Sequence, residues 1–256
     1  MNGMASALAG QHALVSGGGR GIGRAIASTL RQAGARVSII GRNDDILQQA
    51  VLDGAADAAH SVDVTNESAV SEAMAGLAAG QPFDIVVANA GAAESASFQR
   101  SDTQLFRRMV EINLIGTVNC FRPALPAMTQ RRSGRLIAIA STAGHRGYAY
   151  VSAYVAAKHA VVGLVRSLAL ETARSGVTVN AVCPGYTDTD MVAGSLSTIV
   201  AKTGKSRDEA LAELTKDNPQ HRLITPEEVA AAVLNLCGPQ SRGITGQSIL
   251  INGGEF

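Results

Sequence analysis

Seven short runs of β-branched and aliphatic residues recur along the chain: HALVS (12–16), RVSII (36–40), AAHSV (58–62), DIVVA (84–88), RLIAIA (135–140), TVNAVC (178–183) and QSILI (247–251). Most are apolar nearly throughout, the pattern of strands covered on both faces of a parallel sheet. Longer stretches with helical periodicity fill the gaps. Strand, helix and parallel strand form a right-handed crossover unit. Repeated along a chain, that unit gives an α/β fold: a doubly wound, Rossmann-type parallel sheet of seven strands with helices on both faces.

Several helices carry start signals. SDTQ (101–104), SRDE (206–209) and TPEE (225–228) each place Ser or Thr three residues before Gln or Glu, the capping-box spacing. Pro226 falls at a first helical position. No linker, biased segment or repeat divides the sequence, so residues 1–256 are expected to form one nucleotide-binding domain, a size α/β folds reach as single units. Residues 188–221 break the rhythm: they separate the sixth and seventh strands and hold a polar helix, KSRDEALAELTKDN. Ligands of such folds bind at the carboxyl ends of strands, so an insertion there is expected to be a small helical lid.

A net charge of +1 leaves no electrostatic footprint for nucleic acid or an anionic membrane, which points to a small-molecule partner. No run of about 18 uninterrupted apolar residues is present, and the opening residues lack the basic region of a signal peptide. Cys120, Cys183 and Cys237 are scattered, which fits a reducing cytoplasm better than a disulfide framework or a zinc site. His12, His60, His159 and His221 show no metal-ligand spacing, and no metal is expected.

The first strand runs into SGGGRGIGRAIASTL (16–30). Glycines 17, 19, 21 and 23, with Ser16, Arg20 and Ile22 among them, let backbone approach a pyrophosphate that faces the helix N-terminus. The spacing of Gly17, Gly21 and Gly23 is G-x-x-x-G-x-G, not G-x-G-x-x-G. An acidic residue closing the second strand would bind the ribose 2′-hydroxyl of NAD. Here Gly41 stands there and Arg42 follows, with Arg20 in the loop. That arrangement favours NADP(H), with NAD(H) as the alternative.

Tyr154 and Lys158 lie one turn apart on SAYVAAKHAVVGL (152–164), so both face the same way. A phenol, ordinarily near pKa 10, is a sluggish acid and a poor base at neutral pH. A neighbouring ammonium favours its phenolate and draws its pKa toward neutral. An active-site serine hydrolase is a poor alternative, because IASTAG (139–144) lacks the G-x-S-x-G elbow.

Together these segments resemble the short-chain dehydrogenase/reductase family, along essentially the whole chain. SGGGRGIG matches its glycine loop, DVT (63–65) its adenine-side motif, and ANAG (88–91) its NNAG, with Ala88 in place of the first Asn. INLIG (112–116), IASTAG, YxxxK, PGYTDT (184–189) and GITGQSILINGG (243–254) follow in the family's order. The resemblance implies an NAD(P)-dependent oxidoreductase in which Tyr154 is the acid/base, Lys158 its electrostatic partner and a ligand of the nicotinamide ribose, and Ser141 a donor to the substrate oxygen. It implies that Asn113 holds a water linked to Lys158. Asp63 and Val64 would contact adenine, Asn89, Ala90 and Gly91 would line the cofactor, and Pro184, Gly185, Thr187 and Thr189 would meet the nicotinamide end.

The family resemblance is nearest to 3-oxoacyl reductases and 3-hydroxyacyl-CoA dehydrogenases, which implies a 3-oxoacyl or 3-hydroxyacyl thioester or related 3-keto compound. Another secondary alcohol (3-hydroxybutyrate, a sugar or a cyclic alcohol) is the alternative, and a silent nucleotide sensor is disfavoured by the presence of both Tyr154 and Lys158. Ser141, His145, Tyr148, Tyr186 and Met191 are candidates for the substrate pocket. The family also implies a homotetramer.

Overall fold

The central strands His12–Ser16, Ile85–Ala88, Gly134–Ile139 and Val177–Pro184 are buried on both sides because their side chains alternate between two cores. The structure is a computed structural model and describes residues 7–256. Seven parallel strands, β1 (His12–Ser16), β2 (Arg36–Gly41), β3 (Ala58–Ser61), β4 (Ile85–Ala88), β5 (Gly134–Ile139), β6 (Val177–Pro184) and β7 (Ser248–Ile251), lie in the order β3-β2-β1-β4-β5-β6-β7. On β1, Ala13 and Val15 face one core and Leu14 the other; on β4, Ile85 and Val87 oppose Val86 and Ala88. The doubly wound parallel sheet expected from the sequence is therefore the fold, with each strand within about two residues of its apolar run.

Helices α1 (Gly21–Gln32), α2 (Asp44–Leu52) and α9 (Pro226–Cys237) cover the first face through Ile26, Leu30, Leu47 and Val233. The second face is covered by α3 (Glu67–Leu77), α5 (Gly116–Arg131) and α6 (Ser152–Thr172), through Met74, Phe121, Met128, Val161 and Val165. Among the described residues α6 alone is long and apolar enough to cross a membrane, and its Val161, Val162 and Val165 are packed on the sheet.

One local expectation is corrected here. The helix starting near residue 102 is capped by Asp102, whose carboxylate accepts from Leu105 N at 2.8 Å, rather than by Ser101. The helical stretch that follows, to Arg131, is not regular throughout. Helix α4 (Thr103–Val110) passes through a π-helical turn (Glu111–Ile115) into α5. Asn113 lies in that turn, and its side-chain Nδ2 donates to Met109 O four residues back, at 2.9 Å. A side chain inserted into the helical ladder is a recognised cause of such a bulge.

The segment after β6 holds two helices, α7 (Asp190–Thr203) and α8 (Arg207–Thr215), where the sequence suggested one polar helix. They share a small core of Val192, Leu196 and Ala210. Capping boxes at Ser206 and Thr225 start α8 and α9 as expected, with Pro226 in the first turn of α9.

Candidate active site

The sheet order reverses between β1 and β4: from β1 the chain proceeds outward to β2, from β4 outward to β5. The divergence opens a crevice at the strands' carboxyl ends. Ser16 fixes its floor, because its Oγ accepts from Asn89 N and Ala90 N, both at 3.0 Å. Asn89 returns the contact, its Nδ2 donating to Ser16 O at 2.9 Å and to Gly17 O at 3.3 Å. Gly17 and Gly21 take left-handed conformations, φ 65° and 51°, which favour glycine. Gly23 is needed for space, since a Cβ there would collide with the Gly17 carbonyl oxygen and press on Asn89 Nδ2.

Above this floor, α1 begins at Arg20 without a side-chain cap and with no acidic residue in its first turn. Its first N–H groups are thus free to face an anion. The exposed Arg42 directly follows β2, and no carboxylate closes that strand. Arg20 is exposed, 3.5 Å from Asp190 at the start of α7. Gly19 packs close to Ile46, and the half-buried Ile22 packs against the first core. This cradle fits a nicotinamide dinucleotide.

After β3, Asp63 Oδ1 accepts from Thr65 N and Thr65 Oγ1, both at 2.9 Å. Val64 turns its side chain into the second core, close to Gly116, and its carbonyl accepts from Asn119 Nδ2 at 2.8 Å.

The four residues singled out for chemistry come from three elements. Lys158 is 5% exposed on α6, and its Nζ donates to Ile139 O at 2.9 Å, at the end of β5. Ser141 follows β5, and its Oγ accepts from Ala143 N at 3.1 Å, capping a short 3₁₀ turn (Thr142–Gly144). That turn lies tightly on α6, where a Cβ at Gly144 would stand 2.9 Å from Lys158 O. Asn113 is 1% exposed; its Nδ2 is held by Ala92 O at 3.0 Å and Met109 O at 2.9 Å. Its Oδ1 is buried and has no partner. A Cβ on Gly91 would lie 2.8 Å from that oxygen and 3.6 Å from Lys158 Nζ, so the bare glycine leaves both groups facing one small space. A buried acceptor left unpaired is costly, and a water between Asn113 Oδ1 and Lys158 Nζ would satisfy it.

Tyr154 is half-buried and packs with Met109 and Ala157, its ring centroid 5.6 Å from Lys158 Nζ. Burial pushes its phenol up to about 12, against the opposing hydrogen bond from Ser141. Burial also lowers Lys158 to about 8, with Cys183 acting in the other direction. Burial thus outweighs the expected pull of the phenol toward neutral, and the Lys158 ammonium is turned to the Ile139 carbonyl.

At the mouth, Pro184 ends β6 opposite Ile251, and Gly185 N donates to Ile251 O at 3.0 Å. Thr187 Oγ1 donates to Gly185 O at 3.0 Å and Thr189 Oγ1 to Thr187 O at 3.2 Å, while the Thr189 methyl comes up against Gly21. The segment leading into α7 thus lies over the glycine loop. Met191 is exposed, whereas Leu196 turns into the shared core of α7 and α8. The Tyr148 and Tyr186 rings meet edge to face at 6.3 Å. His145 does not join them: its Nε2 lies 3.6 Å from the buried Cys183 Sγ, and burial lowers its pKa.

One participant escaped the sequence. Glu255 accepts from Tyr148 Oη at 2.7 Å and pairs with Arg146 at 3.3 Å. It stands 107 positions beyond Tyr148, and no spacing rule links them.

Residues 17–255 match the family described as enoyl-(acyl carrier protein) reductase. D-beta-hydroxybutyrate dehydrogenase of Rhizobium meliloti (strain 1021) is 35% identical over 252 residues, covering 94% of this chain and 97% of that protein. Acetoacetyl-CoA reductase of Shinella zoogloeoides is 34% identical over 245 residues, covering 95% and 98%. Among solved structures, an actinorhodin polyketide ketoreductase with NADPH superposes with a TM-score of 0.92 at 34% identity, covering 98% of this chain and 99% of that one. Fold, motif order and relatives agree: the chain belongs to the short-chain dehydrogenase/reductase family and is an oxidoreductase acting on carbonyls and secondary alcohols.

Proposed function

We propose that the protein reduces a 3-oxoacyl thioester or related 3-keto compound with NADP(H), using Tyr154 as its acid/base. The observation that carries this reading is the convergence of Tyr154, Ser141, Lys158 and the unpaired Asn113 Oδ1 beside a glycine cradle at the point where the sheet order reverses. The reduced nicotinamide, when bound, supplies hydride to the carbonyl carbon. The carbonyl oxygen then gains negative charge, and Ser141 Oγ donates a hydrogen bond to it. Tyr154, protonated throughout the neutral range because burial raises its pKa, donates the proton that completes the alcohol.

Lys158 has two tasks in this reading. Its ammonium stabilises the tyrosinate left after proton donation and holds the nicotinamide ribose. Through a water at Asn113 Oδ1 it also relays a proton from solvent back to the tyrosinate. Asp63, Val64, Asn89, Ala90 and Gly91 line the dinucleotide, and Thr187 and Thr189 fix the carboxamide end.

Selection of NADP(H) rests on Arg42 and Arg20 with no carboxylate closing β2. A charge-assisted hydrogen bond contributes about 1.5–3 kcal/mol, which corresponds to about tenfold or more in affinity. Steady-state assays of acetoacetyl-CoA and neutral 3-keto esters with each cofactor test both points. The expected result is turnover with at least about tenfold higher kcat/KM for NADPH, and loss of that preference in Arg42→Ala. Absence of turnover with every carbonyl, or preference for NADH, would contradict the reading.

A further inference from the structure

Arg146, the guanidinium packed against Tyr148, is already paired with carboxylates. Arg146 lies over the Tyr148 ring at 5.1 Å and over the Phe256 ring at 5.5 Å. Its Nη1 is 3.3 Å from Glu255 and its Nη2 is 3.5 Å from Asp217, which follows α8. The Glu255 side chain is only 6% exposed, and its Oε1 also accepts from Tyr148 Oη. Two carboxylates therefore surround one cation. Both also bear on Tyr186, raising its pKa after the larger effect of burial. Tyr148 Oη also lies 2.8 Å from Thr142 Oγ1, the residue after Ser141, so this charge stands beside the candidate reaction centre.

We propose that Glu255 is a specificity-determining residue: by masking Arg146 it makes the pocket accept an uncharged 3-keto group, an ester or thioester, and reject the free carboxylate. An anionic substrate would have to displace Glu255 from Arg146 and then lie beside two carboxylates. A neutral ester meets only the tyrosine edges and the Phe256 side. Among the described residues Arg146 is the cation packed on the Tyr148 and Phe256 rings, and Glu255 and Asp217 hold it. The inference rests on the proposed ketone reduction and adds the charge of the substrate to it. It also separates this chain from a relative whose name specifies hydroxybutyrate.

The matched probes are ethyl acetoacetate and acetoacetate, which share the reacting ketone and differ in charge. With NADPH, kcat/KM is expected to be at least about tenfold higher for the ester, mainly through KM. In Glu255→Gln, which frees Arg146, acetoacetate should gain at least about tenfold relative to the ester. That gain should vanish in Arg146→Gln/Glu255→Gln, and NADPH affinity should hold in all three proteins. Equal use of both probes, or preference for the acid, by the unaltered protein overturns the proposal, and so does an unchanged ratio in Glu255→Gln. Calorimetric binding of each probe is run in parallel on the unaltered protein. If neither is turned over, the ketone-reduction reading fails, while tighter binding of the ester still supports masking and tighter binding of the acid still refutes it.

Discussion

His12 shows how a buried polar residue can be fully satisfied yet sensitive to acid. It is completely buried at the start of β1, with Nδ1 donating to Gln81 O at 2.7 Å and Nε2 accepting from Ser38 Oγ at 2.8 Å. Both ring nitrogens are used by the neutral form, and burial lowers the pKa below the ordinary 6.5. Above that value folded and unfolded chains are both neutral at this site. Below it the unfolded chain takes up a proton that the folded one resists, so stability falls as pH falls. Thermal unfolding should show Tm declining below pH 6.5 more steeply in the unaltered protein than in His12→Leu, which cannot titrate. Equal slopes in the two proteins would remove His12 from the account. Tyr154 and Lys158 belong to the same scale. Their residue types and spacing were legible in the sequence, whereas the direction of the phenol's shift was not, because it depends on burial and on where Nζ points.

Among the elements, the join of β1 to α1 is the one whose local chemistry is most tightly prescribed. The glycine pattern was readable because each position has a separate cause. Gly17 and Gly21 need a left-handed backbone, while Gly23 must let the helix start pass over the Gly17 carbonyl. Gly23→Ala therefore has to displace backbone, not a flexible side chain. Fluorescence titration should find NADPH bound at least about tenfold more weakly by this variant, a loss of about 1.4 kcal/mol, with the far-ultraviolet dichroism of the sheet and helices retained. Unchanged affinity would show that the loop does not cradle the dinucleotide. The π turn at Asn113 was not legible. Apolar periodicity runs through it without interruption, and only the contacts of the Asn113 side chain with Met109 O and Ala92 O reveal why the helix widens there. The cap at Asp102 was missed for a related reason: Ser101 and Asp102 are adjacent cap-forming residues, and a spacing rule cannot choose between them.

For the whole molecule, the doubly wound parallel sheet followed from crossover handedness and from apolar runs that need cover on both faces, both of which are local properties of sequence, whereas the order of its strands was not read from them. The mouth did not follow. Arg146, Tyr148, Asp217 and Glu255 come from three separate segments that meet only when β6 and β7 bring the last residues back beside the turn after β5. The molecule joins a crevice at the switch between β1 and β4 to a phenol on α6, and the proposed chemistry depends on both. Single-turnover reduction of ethyl acetoacetate by NADPH-loaded Tyr154→Phe, compared with the unaltered protein, tests that dependence most directly. With NADPH affinity retained, the rate is expected to fall by about 10²–10⁴, the range for loss of a positioned general acid. A variant rate within about tenfold of the parent, or about 1.4 kcal/mol in barrier, would show that another group delivers the proton.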